Sequence, residues 1–367
     1  MLLNDDQTVA FALGCISAGA SHHQVSAINT SDGSSIWQTP IPDTMLGFEQ
    51  HITGLSRGDG KIVLSLWHLE ILRTGNATRH RRGNSFSGDV VWCLDEATGT
   101  VLWSAPGGGH TEGQYSIPIV YKGTVIVTIG FATMKLNAST GELILANHHA
   151  FFVTNTRPLL TEHYAIGPLL WLSHEVDEAP YLAAMDLDTL DVVWNVTAPR
   201  GSRVWPALSS TQAQPVVMYP GVFGANRQLS ALSAIDGRSV WNASLNGATS
   251  MYSIQYIAPS DIAESVYIGL ADAGNSTVIL NLTNGATIAV VSLPEPAMHA
   301  GAVVDGVLYV PSGDTVWSLQ PGAPEFSRCI SFPDALNIGP VSSANGDGDL
   351  LVEVQWSSAA TVVAFRC

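Results

Sequence analysis

A chain of 367 residues that is 46% apolar and only 13% charged can bury a large core, and carries too few charges for a disordered chain, a coiled coil or a charge-laced helical bundle. Its 31 acidic against 15 basic residues leave a formal charge of −16, a field that repels phosphate backbones and excludes nucleic acid as an expected partner. The longest uncharged apolar stretch, near residues 123–134, is about a dozen residues long where a membrane-crossing helix needs roughly 20, so no transmembrane segment is expected.

Gly 34, Pro 19 and Trp 10 predict an all-β chain of short strands joined by turns. The first residues, Met1-Leu2-Leu3-Asn4-Asp5-Asp6, carry no basic n-region and no apolar h-region, and Ala12-Leu13-Gly14-Cys15 reads as strand rather than as a lipobox. From residue 27 an eleven-residue phrase recurs: Ala, an apolar residue, Asp or Asn, turn residues, Gly at the seventh place, then an apolar run closing on Trp at the eleventh. Ala27–Trp37 has Gly33 and Trp37 in those places, and Cys93–Trp103 has Gly99 and Trp103 but starts with Cys. Lys135–Leu145 is weaker, and Ala184–Trp194 keeps Trp194 while Leu190 replaces the glycine. Ala231–Trp241 is clean, with Gly237 and Trp241; Ile279–Ala289 is weak, and a decayed copy with Gly322 surrounds Ser318–Phe326.

The seventh places lie 66, 42, 49, 47, 48 and 37 residues apart, a propeller period. Each phrase predicts a hairpin whose turn needs Gly and whose outer strand presents Trp to the neighbouring blade. Two further apolar strands precede each phrase, for example 116–120 and 124–129, or 301–304 and 307–310, which gives four strands per blade. Counting middle strands gives eight blades, with seven as the alternative; the last unit, 338–342, 349–355 and 361–365, has no fourth strand. The expected organisation is one propeller domain over residues 1–367, with an N-terminal leader or closing strand missing.

Several short patterns carry weaker signals. The 66-residue gap holds Arg79-His80-Arg81-Arg82, a dibasic pattern read as a solvated loop, and His22-His23 and His148-His149 read as surface histidines rather than a metal site. Residues 345–349 read as a hairpin turn, because no Glu stands at the twelfth place of a calcium loop. Cys15, Cys93, Cys329 and Cys367 form no CxxC pair; Cys367 could bridge to Cys329 or to Cys15, or the thiols could be buried and free. Seven N-glycosylation sequons, at Asn29, Asn76, Asn137, Asn195, Asn242, Asn275 and Asn281, exceed the roughly three that chance predicts and point to a secreted or luminal eukaryotic glycoprotein. Asn29, Asn137 and Asn281 fall in the repeated turn, which itself favours Asn near Ser or Thr.

The phrase resembles the tryptophan-docking motif of pyrroloquinoline quinone (PQQ) repeat propellers, the quinoprotein alcohol dehydrogenase-like superfamily, over nearly the whole chain. The resemblance implies Trp37, Trp103, Trp194 and Trp241 with Gly33, Gly99 and Gly237 as the structural docking set. Enzymes of that superfamily hold PQQ and calcium in a central funnel beside adjacent cysteines. Adjacent cysteines and a CxxCH haem site are absent here, which makes the chain more similar to non-catalytic members such as the assembly lipoprotein BamB. Aligning the innermost strands on Gly54, Pro118, Pro158, Pro206, Gln255, Ala302 and Pro340 puts His51, Tyr115, Asn155, Arg203, Tyr252, His299 and Asn337 three places earlier, around one mouth of the funnel. These seven could form a small-ligand or peptide site with Arg203 as the anchor for a carboxylate or phosphate, or could bond one another and channel water. The expectation is a monomeric interaction scaffold or ligand-binding module without a catalytic residue, metal or cofactor. The alternative is a divergent PQQ- and calcium-dependent dehydrogenase.

Overall fold

The computed structural model describes the chain outside residues 1, 5–7, 16–22, 42–47, 75–76, 81–88, 107–113, 131, 153–157, 172–180, 198–206, 210–214, 224–225, 246–253, 271–274, 298–300, 346–348, 357–359 and 366. The described strands form eight antiparallel sheets, over residues 2–41, 48–106, 114–147, 150–197, 207–244, 254–292, 302–331 and 337–365, here numbered first to eighth. Each is a meander in chain order, with four strands along its path in the first seven and three in the eighth. The chain divides into two compact units, Met1–Asn195 and Val196–Cys367.

Within each unit the apolar core lies between consecutive sheets. In the first unit Phe11, Val25, Leu64 and Trp92 join the first sheet to the second, Val91, Trp103, Val125 and Leu136 join the second to the third, and Ile126, Ala165, Met185 and Leu190 join the third to the fourth. In the second unit Trp241 packs with Ile268 and Leu280, Tyr256 and Tyr267 with Leu308 and Leu319, and Val316 with Val352 and Val354. Sheets that stack on their neighbours through alternate apolar residues, and leave one strand at an outer edge, are the blades of a β-propeller.

The repeated phrase makes the joints between blades. Its first place lies directly opposite its eleventh across the outer hairpin, as in Ala27 with Trp37, Cys93 with Trp103 and Ala231 with Trp241, and a bulge follows at once. A small residue at the first place therefore makes room for the indole beside it. The third-place side chain closes the turn: Asp95 Oδ1 accepts from the amides of Ala97 and Thr98, and Asn137 Oδ1 from those of Ser139 and Thr140.

The seventh place takes the left-handed conformation that suits glycine, with φ of 71° at Gly33, 70° at Gly99, 73° at Gly141, 69° at Gly237 and 71° at Gly285. Glycine is needed there for a second reason. A Cβ on Gly99 would lie 2.5 Å from the Trp37 ring, one on Gly141 2.7 Å from Trp103, and one on Gly285 2.5 Å from Trp241. Each indole thus stacks on the glycine of the next phrase. Its Nε1–H then donates to the fourth-place carbonyl of that phrase: Trp37 to Glu96 at 3.0 Å, Trp103 to Ala138 at 2.9 Å, Trp241 to Leu282 at 2.8 Å.

Two expectations about local structure need correction. The innermost strand read at 116–120 is split into Gln114–Tyr115 and Ile119–Tyr121, both pairing with Thr124–Gly130; Pro118 lacks an amide proton and interrupts the ladder. The basic insert is not all loop: Ala77–His80 pairs with the far end of the 14-residue strand Lys61–Thr74, so Arg79 and His80 stand on a hairpin extension, while Arg81 and Arg82 lie outside the described residues.

Candidate functional site

Of the seven mouth positions, three fall on innermost strands. His51 lies within Phe48–Gly58, Tyr115 ends Gln114–Tyr115, and Asn337 opens Asn337–Asn345 and pairs with Gln355. Asn155, Arg203, Tyr252 and His299 lie outside the described residues.

Next to Tyr115 the first unit holds a row of buried hydroxyls that the apolar pattern did not reveal. Ser65 Oγ donates to the Ser116 carbonyl at 2.8 Å, the Ser56 hydroxyl bonds the Pro118 carbonyl, and Ser116 Oγ accepts from the Thr128 amide at 2.9 Å. Thr128 Oγ1 accepts from the Phe152 amide at 3.1 Å, and Thr133 Oγ1 donates to the Ala150 carbonyl at 3.0 Å. Ser56 and Ser65 tie the broken innermost segment of the third sheet to the second sheet and satisfy carbonyls around Pro118, while Thr128 and Thr133 tie the next two strands of the third sheet to the fourth. The available sequence signal was Ser or Thr at inward places of strands that are otherwise apolar, namely Ser65, Thr128 and Thr133.

Burial raises the pKa of one described thiol and four described phenols. Burial pushes the Cys93 thiol up to about 12, and its Sγ lies 3.8 Å from the Ala138 carbonyl. Burial likewise raises Tyr219, Tyr267 and Tyr309, and raises Tyr256 further even though its hydroxyl is 2.7 Å from Thr277 Oγ1. Among the described residues no three His, Cys, Asp or Glu side chains converge as a metal site. None of the seven mouth positions is a carboxylate, the donor that calcium prefers.

The cysteine alternatives resolve in one direction. Cys329, on the outermost strand of the seventh sheet, is bridged to Cys367, two residues beyond the last strand of the eighth, with Cα atoms 5.1 Å apart. Cys93 is buried and free. His148 and His149 are exposed in a bend before Ala150–Phe152, and Asn345 pairs with Asp349 across a hairpin. Among the described residues no helix is long and apolar enough to cross a membrane.

Blades joined by an indole that stacks on the next blade's turn glycine and bonds its carbonyl define a class, the PQQ-like repeat β-propellers. Within that class residues 87–323 match the family described as outer membrane protein assembly factor BamB, and the chain belongs to it. Among solved structures it is similar to BamB from Moraxella catarrhalis, with 14% identity, a TM-score of 0.59, and cover of 100% of this chain and 96% of that one. It is also similar to the quinohemoprotein alcohol dehydrogenase from Comamonas testosteroni, with 13% identity, a TM-score of 0.59, and cover of 95% and 69%. The dihydro-heme d1 dehydrogenase NirN gives 10% identity, a TM-score of 0.60, and cover of 99% and 72%. At such identities these likenesses concern the fold alone. No curated protein matches the chain in sequence.

Proposed function

We propose that this chain is a non-catalytic β-propeller that works as an interaction scaffold or ligand-binding module of the secretory pathway. The observation that carries the reading is its family, whose described member is an assembly factor. The packing agrees with it: joints of stacked indoles and buried hydroxyls make rigid blades, and rigid blades can present variable loops to a partner. The Cys329–Cys367 bridge supports an oxidising compartment, where such bonds form and persist. The seven sequons add to that case.

Titration of the folded protein with PQQ, with and without calcium, tests the reading. The expected result is no binding heat and no dye-linked alcohol oxidation. Tight, calcium-dependent PQQ binding accompanied by turnover would replace the scaffold with a dehydrogenase, and would direct mutation to His51, Arg203 and His299.

A further inference from the structure

Six sequon asparagines fall within the described residues, and the fold divides them by what their side chains already do. Asn29, Asn137 and Asn281 occupy the third place of the phrase, and their Oδ1 atoms accept amide protons from Ser31, from Ser139 and Thr140, and from Thr283 and Asn284. Asp95 and Asp186 fill the same place in sibling phrases with the same bonds, so turn geometry alone accounts for a carboxamide or carboxylate there. Asn275 has its sequon hydroxyl, Thr277, buried against Tyr256.

Asn195 and Asn242 are different. Each follows a docking tryptophan on the outermost strand of its sheet, in two copies of one pattern, Val-Trp-Asn-Val-Thr at 193–197 and Val-Trp-Asn-Ala-Ser at 240–244. Strand alternation turns Trp194 and Trp241 to the core while Asn195 and Thr197, and Asn242 and Ser244, lie exposed on the opposite face. Val193 and Val240 share that face and are 46% and 47% exposed. Asn242 Oδ1 accepts from Ser230 Oγ at 2.7 Å, and its Nδ2 lies 3.2 Å from the exposed Ser239 hydroxyl, a bond that water replaces readily. The joint does not require asparagine at this place: Gln38, Ser104 and Ala146 stand there in the first three phrases.

We infer that Asn195 and Asn242 are N-glycosylation sites. A glycan linked there projects from the outermost strand into solvent and covers the valine one pleat away, without disturbing the buried tryptophan on the other face of the strand. Outer strands present unpaired backbone groups and exposed apolar side chains, and a bulky hydrophilic cover is a physical means of blocking their pairing with another chain. This inference rests on the secretory reading.

The test is secretion of the full chain behind a heterologous leader from glycosylating eukaryotic cells, followed by peptide mass spectrometry after enzymatic deglycosylation in heavy-oxygen water and thiol trapping of Cys329 and Cys367. Isotope-marked conversion to aspartate at both 195 and 242, lost in N195Q/N242Q, supports the assignment. Both positions bare while another sequon is occupied overturns it and leaves the secretory reading standing. Every sequon bare with the disulfide formed also overturns the assignment alone, whereas every sequon bare with both thiols free overturns the two together.

Discussion

The joint between the second and third sheets and the joint between the third and fourth solve one packing problem in two ways. In the former, Trp103 is buried, stacks on Gly141 and donates to the Ala138 carbonyl. In the latter the eleventh place is Leu145, 37% exposed, and it offers no donor. The missing parts are supplied from elsewhere. Leu190 replaces the seventh-place glycine of the fourth sheet, keeps the left-handed backbone with φ of 61°, and is fully buried in the space the ring vacates. Lys135, at the first place where an indole would leave room only for Ala or Cys, donates through Nζ to the fourth-place carbonyl of Leu187 at 2.9 Å. Asn147 Nδ2 bonds the Leu190 carbonyl at 2.8 Å. At this joint the missing tryptophan of one phrase is thus matched by the missing glycine of the next, and the lysine supplies the hydrogen bond.

The largest effect is expected at the intact joint. Trp103→Ala removes a buried ring and its hydrogen bond and should lower the unfolding free energy in urea by about 3–5 kcal/mol, whereas Leu145→Ala at the matching place should cost under about 1 kcal/mol. Equal losses at the two places would break the comparison. Leu190→Gly should cost about 2–4 kcal/mol by opening a cavity, and Gly141→Ala about 1–3 kcal/mol by driving a Cβ into Trp103. Rebuilding the indole joint with L145W in a K135A/L190G background should recover stability beyond the sum of the single effects, a coupling of roughly 0.5–3 kcal/mol. Additive behaviour would mean that Leu145, Lys135 and Leu190 are independent changes.

A smaller loss, about 1–3 kcal/mol, is expected for Lys135→Met, which fills similar space but leaves the Leu187 carbonyl without its donor. The 3.5 Å approach of Lys135 to the exposed Asp188 carboxylate should add little, so Asp188→Asn should be nearly silent.

The smallest effect distinguishes Asp turns from Asn turns by pH. The Thr98 hydroxyl, then the Thr98 and Ala97 amides, hold the Asp95 carboxyl below the usual carboxylate range. A depressed pKa stabilises the fold above the unfolded carboxylate pKa, and that contribution is lost as pH falls through the lower folded value. Asp95→Asn should therefore flatten the acid limb of the stability profile, while Asn137→Asp should steepen it. Thermal melts of the two variants across that range, giving one profile for both, would refute the turn assignment.

The all-β class, the four-strand period and the recurrence of Gly and Trp at fixed places were legible in the primary sequence because the hairpin turn is local and each repeat states the rule again. The same reading saw the third and fourth phrases only as weakened copies. The compensation by Lys135 and Leu190 spans more than 50 residues and needs the stacking of one sheet on the next. The hydroxyl row had the same cause, since Ser65 and Ser116 meet only across two sheets. Of the mouth positions, the structure describes His51, Tyr115 and Asn337 on their strands, and the polar or aromatic character of all seven was visible beforehand.

By itself the sequence indicated a propeller of PQQ-like repeats, because the hairpin turn with its left-handed glycine is set within about a dozen residues and the same Trp-bearing phrase recurs at a propeller period. Only the tertiary structure decided that Cys367 pairs with Cys329 rather than Cys15, that the Cys93 thiol is buried, and which sequon asparagines outside the turns face solvent. Those outcomes depend on distances between strands far apart in the chain and on which side of a strand the core lies, and neither quantity is carried by a residue's immediate neighbours.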